Sequence, residues 1–487
     1  MGMKILITGA TGLIGRALCL RLLRDGHQVT ALVRSMKRGI DLLGAEVKIL
    51  EAGVGLVAAL DGQDGVVHLA GEPLAGRRWS AARRRRMVES RVDLAQALSD
   101  AMGASAARPR VFLSNSAVGY YGPQGDREVD ETSGPGTGFL ADLCQRWESA
   151  AQSAEAHGVR VACFRTGLVL EPDGGALRMM ELPYRLGLGG VMGKGTQGLS
   201  WIHLDDLVDA MAQALTDDRY EGPINGVSPE PASQRGFHRA LCDAMGRPGP
   251  WWIPGPALRL ALGAASQVVL EGQRVVPSRL QDLGFTFRFP SLGSALDSFY
   301  GPDEGLQIDP LRGPISREHP YLARRRPRYQ LQDNRLLPVS LDAVARWFTD
   351  PMNLGIITPS ALSFHTLTET PISMEVGTVI DYALRLGPIP MGWRTVIEEW
   401  TPGSGFVDAQ HRGPYRCWWH VHRFEEDGEN VRVRDTVLYA PPLGPLGAPA
   451  NALFVAPTLR RIFSFRARAM ARRFGVVDRP QGAAPSS

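Results

Sequence analysis

Lysine is almost missing from this chain. Lys4, Lys37, Lys48 and Lys194 are its only lysines, and the other 50 of its 54 basic residues are arginines. A GC-rich genome accounts for that bias. Cysteine is sparse: Cys19, Cys144, Cys163, Cys242 and Cys417 are scattered, with no CxxC pair. An odd, dispersed set argues for a reducing compartment and against a structural zinc site. No run of about 18 uncharged apolar residues occurs, so no membrane span is expected. The N-terminal Met1-Gly-Met-Lys-Ile-Leu-Ile lacks the basic, apolar and small-residue regions of a signal peptide, which points to the cytoplasm. Charge of one sign is not in excess. The 54 basic and 50 acidic residues leave a net +4, so no nucleic acid or acidic membrane is demanded as a partner.

What is present is ordinary globular material. Over 487 residues, 44% are apolar and 21% charged, which excludes general disorder. At about 150 residues per domain the length suggests two to four domains. Short apolar runs read as strands at 4–8, 28–33, 47–50, 66–70, 110–114 and 159–164. Helical stretches lie between most of them, among them 13–24, 83–102 and 142–157. This alternation predicts an α/β fold with a doubly wound parallel sheet, and continuous apolar strands fit burial on both faces. Residues 301–328 hold prolines and the basic cluster Arg324-Arg-Arg-Pro-Arg328 and read as a solvated linker. From 329 the pattern turns to antiparallel-type strands at 378–386, 394–400, 417–424 and 431–439. A closing helix over 458–474 and a disordered tail over 476–487 follow.

The strongest motif is Thr8-Gly-Ala-Thr-Gly-Leu-Ile-Gly15, between the first strand and the first helix. Gly9 permits a tight turn, Gly12 lets backbone amides approach a pyrophosphate, and Gly15 lets the helix pack close to the strand. The helix N-terminus adds positive potential for phosphates. Thr11, Leu13 and Ile14 are counted with these glycines as cofactor-binding. The second strand ends at Val33-Arg34-Ser35, without the acidic residue that would hold a ribose 2′-hydroxyl. Arg34 with Ser35 suits a 2′-phosphate instead, so NADP is expected rather than NAD.

Several further stretches carry a family resemblance: VVHLAGEPL (66–74), RRW (77–79), SNSAVGYYG (114–122), FLADLCQRWE (139–148), RTGLVL (165–170), SWIHLDDLVDA (200–210), EGQRVVP (271–277) and GFTFR (284–288). With the glycine loop, they resemble the epimerase-like family of the extended or atypical short-chain dehydrogenase/reductase superfamily, described as nucleoside-diphosphate-sugar epimerases. The resemblance covers roughly residues 3–300, with a family-specific C-terminal extension over about 250–300. It implies a Rossmann-type domain over 1–300 in which His68, Leu69, Ala70 and Gly71 line the cofactor. It also implies that Ser114–Ser116 and Tyr121 face the nicotinamide pocket, and Ser116 and Tyr121 are the catalytic candidates.

The superfamily's usual proton donor is a tyrosine with a lysine four residues on. The four lysines exclude it: Val33, Gly44 and Gly190 precede Lys37, Lys48 and Lys194 at that spacing, and Lys4 has no such position. Matching Glu148 to the acidic residue that follows the pair puts Leu140 and Cys144 in the two positions. Tyr120, Tyr121 or Lys194 are the possible substitutes. In SWIHLDD, Trp201, His203 and Asp205 read as scaffold, with Asp205 as the helix N-cap.

Residues 329–475 resemble the START-like, helix-grip superfamily that includes polyketide cyclase-like proteins. The matching stretches are VARWFTDP (344–351), Pro359, VGT (376–378), FVD (406–408), RGPY (412–415), WHVHRF (419–424), DTVLY (435–439) and the closing helix with Phe463 and Arg466. That resemblance implies an α+β domain enclosing an apolar cavity for a hydrophobic ligand. His420 and His422 alternate along a strand and share a face. With His411 they form the one metal candidate, but no carboxylate stands at a ligand spacing, and pocket lining is preferred: no metal is expected. The basic closing helix reads as part of the fold, with its arginines in solvent.

Two functions remain. One is an NADP(H)-dependent oxidoreductase or epimerase on an unknown small substrate. The other is a catalytically weak NADP(H)- and ligand-binding sensor.

Overall fold

A computed structural model describes residues 2–74, 78–313, 319–369, 372–386, 389–442 and 447–477. Arg77 of the RRW stretch, residues 314–318 of the expected linker and 478–487 of the expected tail lie outside the described residues. The chain divides into two compact units, one of 1–39 and 46–302, the other of 40–45 and 303 onwards.

The first unit is built on seven parallel strands: β1 (Lys4–Thr8), β2 (Gln28–Val33), β3 (Lys48–Glu51), β4 (Gly65–His68), β5 (Val111–Ala117), β6 (Arg160–Thr166) and β7 (Gly222–Gly226). Their order across the sheet is β7-β6-β5-β4-β1-β2-β3, and each neighbouring pair is parallel. Parallel strands need long crossovers, and helices supply them. Among them are α1 (Leu13–Arg24), α2 (Phe139–Gln152) and α3 (Leu204–Thr216). One face packs Leu6, Val66 and Phe112 against Leu98, Met102 and Ala151, while α1 packs against α3. Ile5, Leu6 and Ile7 are wholly buried, as a two-faced parallel sheet requires. The strand order reverses between β1 and β4, so their C-terminal ends open the crevice where this fold places ligands.

The second unit is an antiparallel sheet of eight strands: β8 (Leu306–Pro310), β9 (Tyr329–Leu337), β10 (His365–Thr366), β11 (Val379–Leu386), β12 (Ile389–Thr401), β13 (Gly405–Arg412), β14 (Cys417–Asp427) and β15 (Asn430–Ala440). The order is β8-β9-β15-β14-β13-β12-β11-β10. Helix α4 (Leu341–Phe348) lies in the chain between β9 and β10, and helix α5 (Ala456–Phe474) closes the unit. Leu459 and Phe463 of α5 pack on Leu331, Trp418, Val437 and Tyr439 of the sheet.

The segment expected as a linker is partly structured. Residues 306–310 pair with β9, and Pro320–Arg324 form a short helix. Arg325 of its basic cluster donates to the carbonyls of Gln410 (3.1 Å) and His411 (3.2 Å), so that cation is engaged by β13 rather than left free. The arginines of α5 are also not all in solvent: Arg466 and Arg472 are buried. Among the described residues no helix is long and apolar enough to cross a membrane.

Candidate functional sites

The glycine loop leaves β1 and enters α1. Gly9 adopts φ +75°, and a Cβ there would lie 2.6 Å from the backbone of Leu69 and Ala70. The loop after β4 can therefore come close only because residue 9 is glycine. At Gly15 a Cβ would stand 2.5 Å from the Gly9 carbonyl and 2.6 Å from Ala10 Cα, so α1 lies against the turn. Gly12 is different: it is exposed, and a Cβ there would meet only the Gly9 oxygen, at 3.1 Å. Gly12 is the N-cap of α1, which has no side-chain cap and no acidic residue in its first turn. The first amides of α1 therefore lack an internal acceptor at the mouth of the crevice. Thr11, Leu13 and Ile14 are half-buried around it. Arg34 and Ser35 are exposed just past the end of β2.

Past β4, Leu69 and Ala70 are half-buried and Gly71 is exposed. The ring of His68 points inward. It is wholly buried, with Nδ1 2.8 Å from Thr8 Oγ1 and Nε2 3.3 Å from the Arg91 carbonyl. Burial pushes its pKa down to about 4, which keeps the ring neutral. Both ring nitrogens are thus engaged inside the fold.

At the end of β5 the structure gathers a closed polar network. Ser116 Oγ donates to Glu148 Oε1 at 2.7 Å. Arg165 of β6 grips both Glu148 oxygens, at 2.9 and 2.8 Å, and donates to Tyr121 OH at 2.9 Å. Tyr121 OH donates in turn to Asn225 Oδ1 at 2.7 Å. Ser116 and Tyr121 are 1% and 0% exposed, and burial pushes the Tyr121 phenol up to about 12. Tyr120 is half-buried, with the Arg165 guanidinium 3.5 Å above its ring. Leu140 and Cys144 do share the face of α2 turned to this site: both lie within 4 Å of the Cβ position of Gly119. Burial pushes the Cys144 thiol up to about 12. Lys194 is exposed in a separate loop, where its carbonyl accepts from Arg235.

The cap of α3 departs from expectation. His203, not Asp205, is the N-cap, its Nδ1 accepting from the Asp205 amide at 3.0 Å. The ring stacks on Phe289 at 3.8 Å between centroids. Asp206 accepts from the amides of Arg288 and Phe289, which ties the 250–300 extension to α3. These residues act as scaffold.

The second unit contains a cavity of about 360 Å³ with walls that include Phe348, Ile380, Tyr382, Trp393, Leu459 and Phe463. Asp408, His420, His422 and Arg466 also line it. His420 and His422 share a face, while His411 is exposed and paired with Glu398. Two carboxylates join the histidines that spacing alone did not reveal. Asp408 stands opposite His420 on β13, and Asp435 stands opposite His422 on β15. Burial and the neighbouring His422 lower the His420 pKa. For His422, burial is outweighed by Asp435 and Asp408, and its pKa rises. Arg466 and His422 hold Asp435 well below the usual carboxylate range against the effect of its burial.

Glu148, Arg165, Asn225, Asp408 and Asp435 were thus not singled out as site residues by the sequence. Their signal is cross-strand or strand-to-helix register, which exists only once the strands are paired.

Comparison with known proteins bears on the first 300 residues. The NAD dependent epimerase/dehydratase family matches residues 5–225, and a domain of unknown function, DUF1731, matches 253–299. The chain is 39% identical over 302 residues to the epimerase family protein SDR39U1 homolog, chloroplastic, of Arabidopsis thaliana, covering 60% of this chain and 86% of that protein. The crystal structure of human epimerase family protein SDR39U1 (isoform 2) with NADPH is similar at TM-score 0.56 and 33% identity, over 61% of this chain and 99% of that one. A nucleoside-diphosphate sugar epimerase from Corynebacterium glutamicum is similar at TM-score 0.50 and 34% identity, over 61% of this chain and 58% of that one.

Proposed function

Because the chain belongs to the NAD-dependent epimerase/dehydratase family, we propose that its first unit binds NADP(H) and acts as an oxidoreductase or epimerase of the short-chain dehydrogenase/reductase type on a small substrate. The observation that carries this reading is the uncapped N-terminus of α1 above an exposed Gly12, beside the crevice between β1 and β4. In this reading Gly9, Thr11, Gly12, Leu13, Ile14 and Gly15 hold the pyrophosphate. Arg34 and Ser35 take the 2′-phosphate, and the backbone of His68 with Leu69, Ala70 and Gly71 lines the cofactor beyond it. The crystal structure of the human relative with NADPH supports NADP over NAD. The bound nicotinamide would supply or accept a hydride. Ser116 and Tyr121 would then shape the pocket end of β5 as positioning groups, because Glu148, Arg165 and Asn225 occupy their hydroxyls. Tyr120, the less buried of the two tyrosines, is the candidate proton donor.

A second reading rests on one specific observation. The positions matched to the missing acid pair are an apolar face of Leu140 and Cys144 packed on Gly119. A protein with that face would bind NADP(H) and turn over little. Steady-state oxidation of NADPH against a panel of small aldehydes, ketones and nucleotide-linked sugars separates the two. Turnover abolished by Tyr120→Phe supports the enzyme. Stoichiometric binding with no turnover supports the sensor.

For the second unit we propose a START-like helix-grip module that binds a hydrophobic ligand. Its supports are the long antiparallel sheet, the closing helix α5 and the cavity of about 360 Å³ between apolar walls. An apolar cavity with a few polar groups is the usual form of a small-molecule site.

A further inference from the structure

Four charged or titratable side chains inside the second unit converge where an apolar cavity would be expected to stay apolar. His420, His422 and Asp435 are 6%, 4% and 1% exposed. With the half-buried Asp408, they come from three adjacent strands and point to one face. Burying such groups is costly unless something organises them.

The nitrogens sort into an inner and an outer set. Asp408 Oδ2 lies 3.0 Å from His422 Nε2 and 3.6 Å from His420 Nδ1. Tetrahedral ligands at about 2.0–2.2 Å from a metal stand about 3.3–3.6 Å from one another; the longer observed spacing falls in that range and the shorter lies just below it. One ligand atom from each of Asp408, His420 and His422 can be chosen so that all lie within 4.8 Å of one another. The outer nitrogens turn to a single carboxylate: Asp435 Oδ1 is 2.7 Å from His422 Nδ1 and 3.3 Å from His420 Nε2. Asp435 Oδ2 is held by Arg466 at 3.0 Å. A carboxylate behind each histidine is the arrangement that fixes the tautomer and orientation of metal-bound imidazoles.

We propose that Asp408, His420 and His422 form a binding site for a divalent transition-metal ion, with Asp435 and Arg466 positioning the two histidines. Two histidines and one carboxylate suit zinc, cobalt or ferrous iron. Three protein ligands leave at least one coordination position. Because all three residues line the cavity, that position faces the ligand space. The site therefore fits an apolar molecule that presents one oxygen donor to the metal. The inference does not depend on the cofactor reading of the first unit.

The test uses tag-free, full-length protein, stripped with chelator and dialysed. Titration with zinc by calorimetry is expected to give one equivalent per chain, and cobalt(II) to give visible d–d bands of four- or five-coordinate metal. His420→Gln and Asp408→Asn are each expected to weaken binding at least a hundredfold while circular dichroism stays unchanged. Asp435→Asn should weaken it by about 10–100-fold. His411→Gln, an exposed histidine outside the cluster, should leave binding intact. No metal uptake by the folded wild-type protein overturns the proposal. So does uptake that persists in His420→Gln. If a variant does not fold, the wild-type stoichiometry and cobalt spectrum still decide.

Discussion

Arg34 and Ser35, exposed just past the end of β2, are the residues proposed to set the cofactor preference. A guanidinium on a 2′-phosphate contributes about 1.5–3 kcal/mol as a charge-assisted bond. Arg34→Ala is therefore expected to weaken NADPH roughly 10- to 100-fold and to leave NADH nearly unchanged. Fluorescence titration with both nucleotides reads the difference, and equal losses would remove Arg34 from the site. Gly15 tests the loop itself. A methyl group there meets the Gly9 carbonyl at 2.5 Å and Ala10 Cα at 2.6 Å, and neither backbone atom can turn aside. Gly15→Ala should cost about 1–3 kcal/mol of stability and displace the start of α1, measured together by urea unfolding and NADPH binding. His68 gives a pH signature. Its folded pKa of about 4 lies below the ordinary 6.5, so the unfolded chain binds the extra proton between these values. Stability supplied by neutral His68 is complete above pH 6.5 and falls as pH drops towards 4, by on the order of 3 kcal/mol. Unfolding free energies of wild type and His68→Gln from pH 7 to pH 4 should converge as pH falls. Parallel curves would contradict this.

At the scale of elements, the Ser116–Glu148–Arg165–Tyr121 network ties β5, α2, β6 and the turn at 118–121 into one piece. Glu148→Gln leaves the Arg165 guanidinium buried without its carboxylate and should cost about 3–5 kcal/mol. Ser116→Ala removes one hydrogen bond and should cost about 1 kcal/mol. Chemical denaturation of the two variants compares them directly, and similar small costs would show that Arg165 finds another partner. The elements themselves were unevenly legible. Residues 4–8, 28–33 and 13–24 carry unbroken apolar or 3.6-residue patterns, and the structure has those same limits. Strand β7, by contrast, reads Gly-Pro-Ile-Asn-Gly. Such residues signal a turn, and they are tolerated because β7 pairs on one side only, at the sheet edge. Strand β8 hides its pattern among prolines in the same way. The sites follow the same rule. Local motifs exposed the glycine loop, whereas Glu148, Asp408 and Asp435 acquire meaning only from cross-strand and helix register.

For the whole molecule, the change of pattern near residue 300 reflects a real change of chemistry, from a buried parallel sheet to a half-open antiparallel one. The two units have separate cores, and ligands should act on them separately. NADPH at a hundred times its Kd should stabilise the unit that binds it by about 2.7 kcal/mol, shifting one of two calorimetric transitions and leaving the other in place. A single transition that moves as a whole would show the units to be one cooperative body. The most direct measurement is a titration of the full-length protein with NADPH and NADH, followed by cofactor fluorescence. Saturable binding of NADPH at one site per chain, clearly tighter than NADH, is the expected result. Failure to bind either nucleotide would contradict it and would move the functional question to the cavity of the second unit.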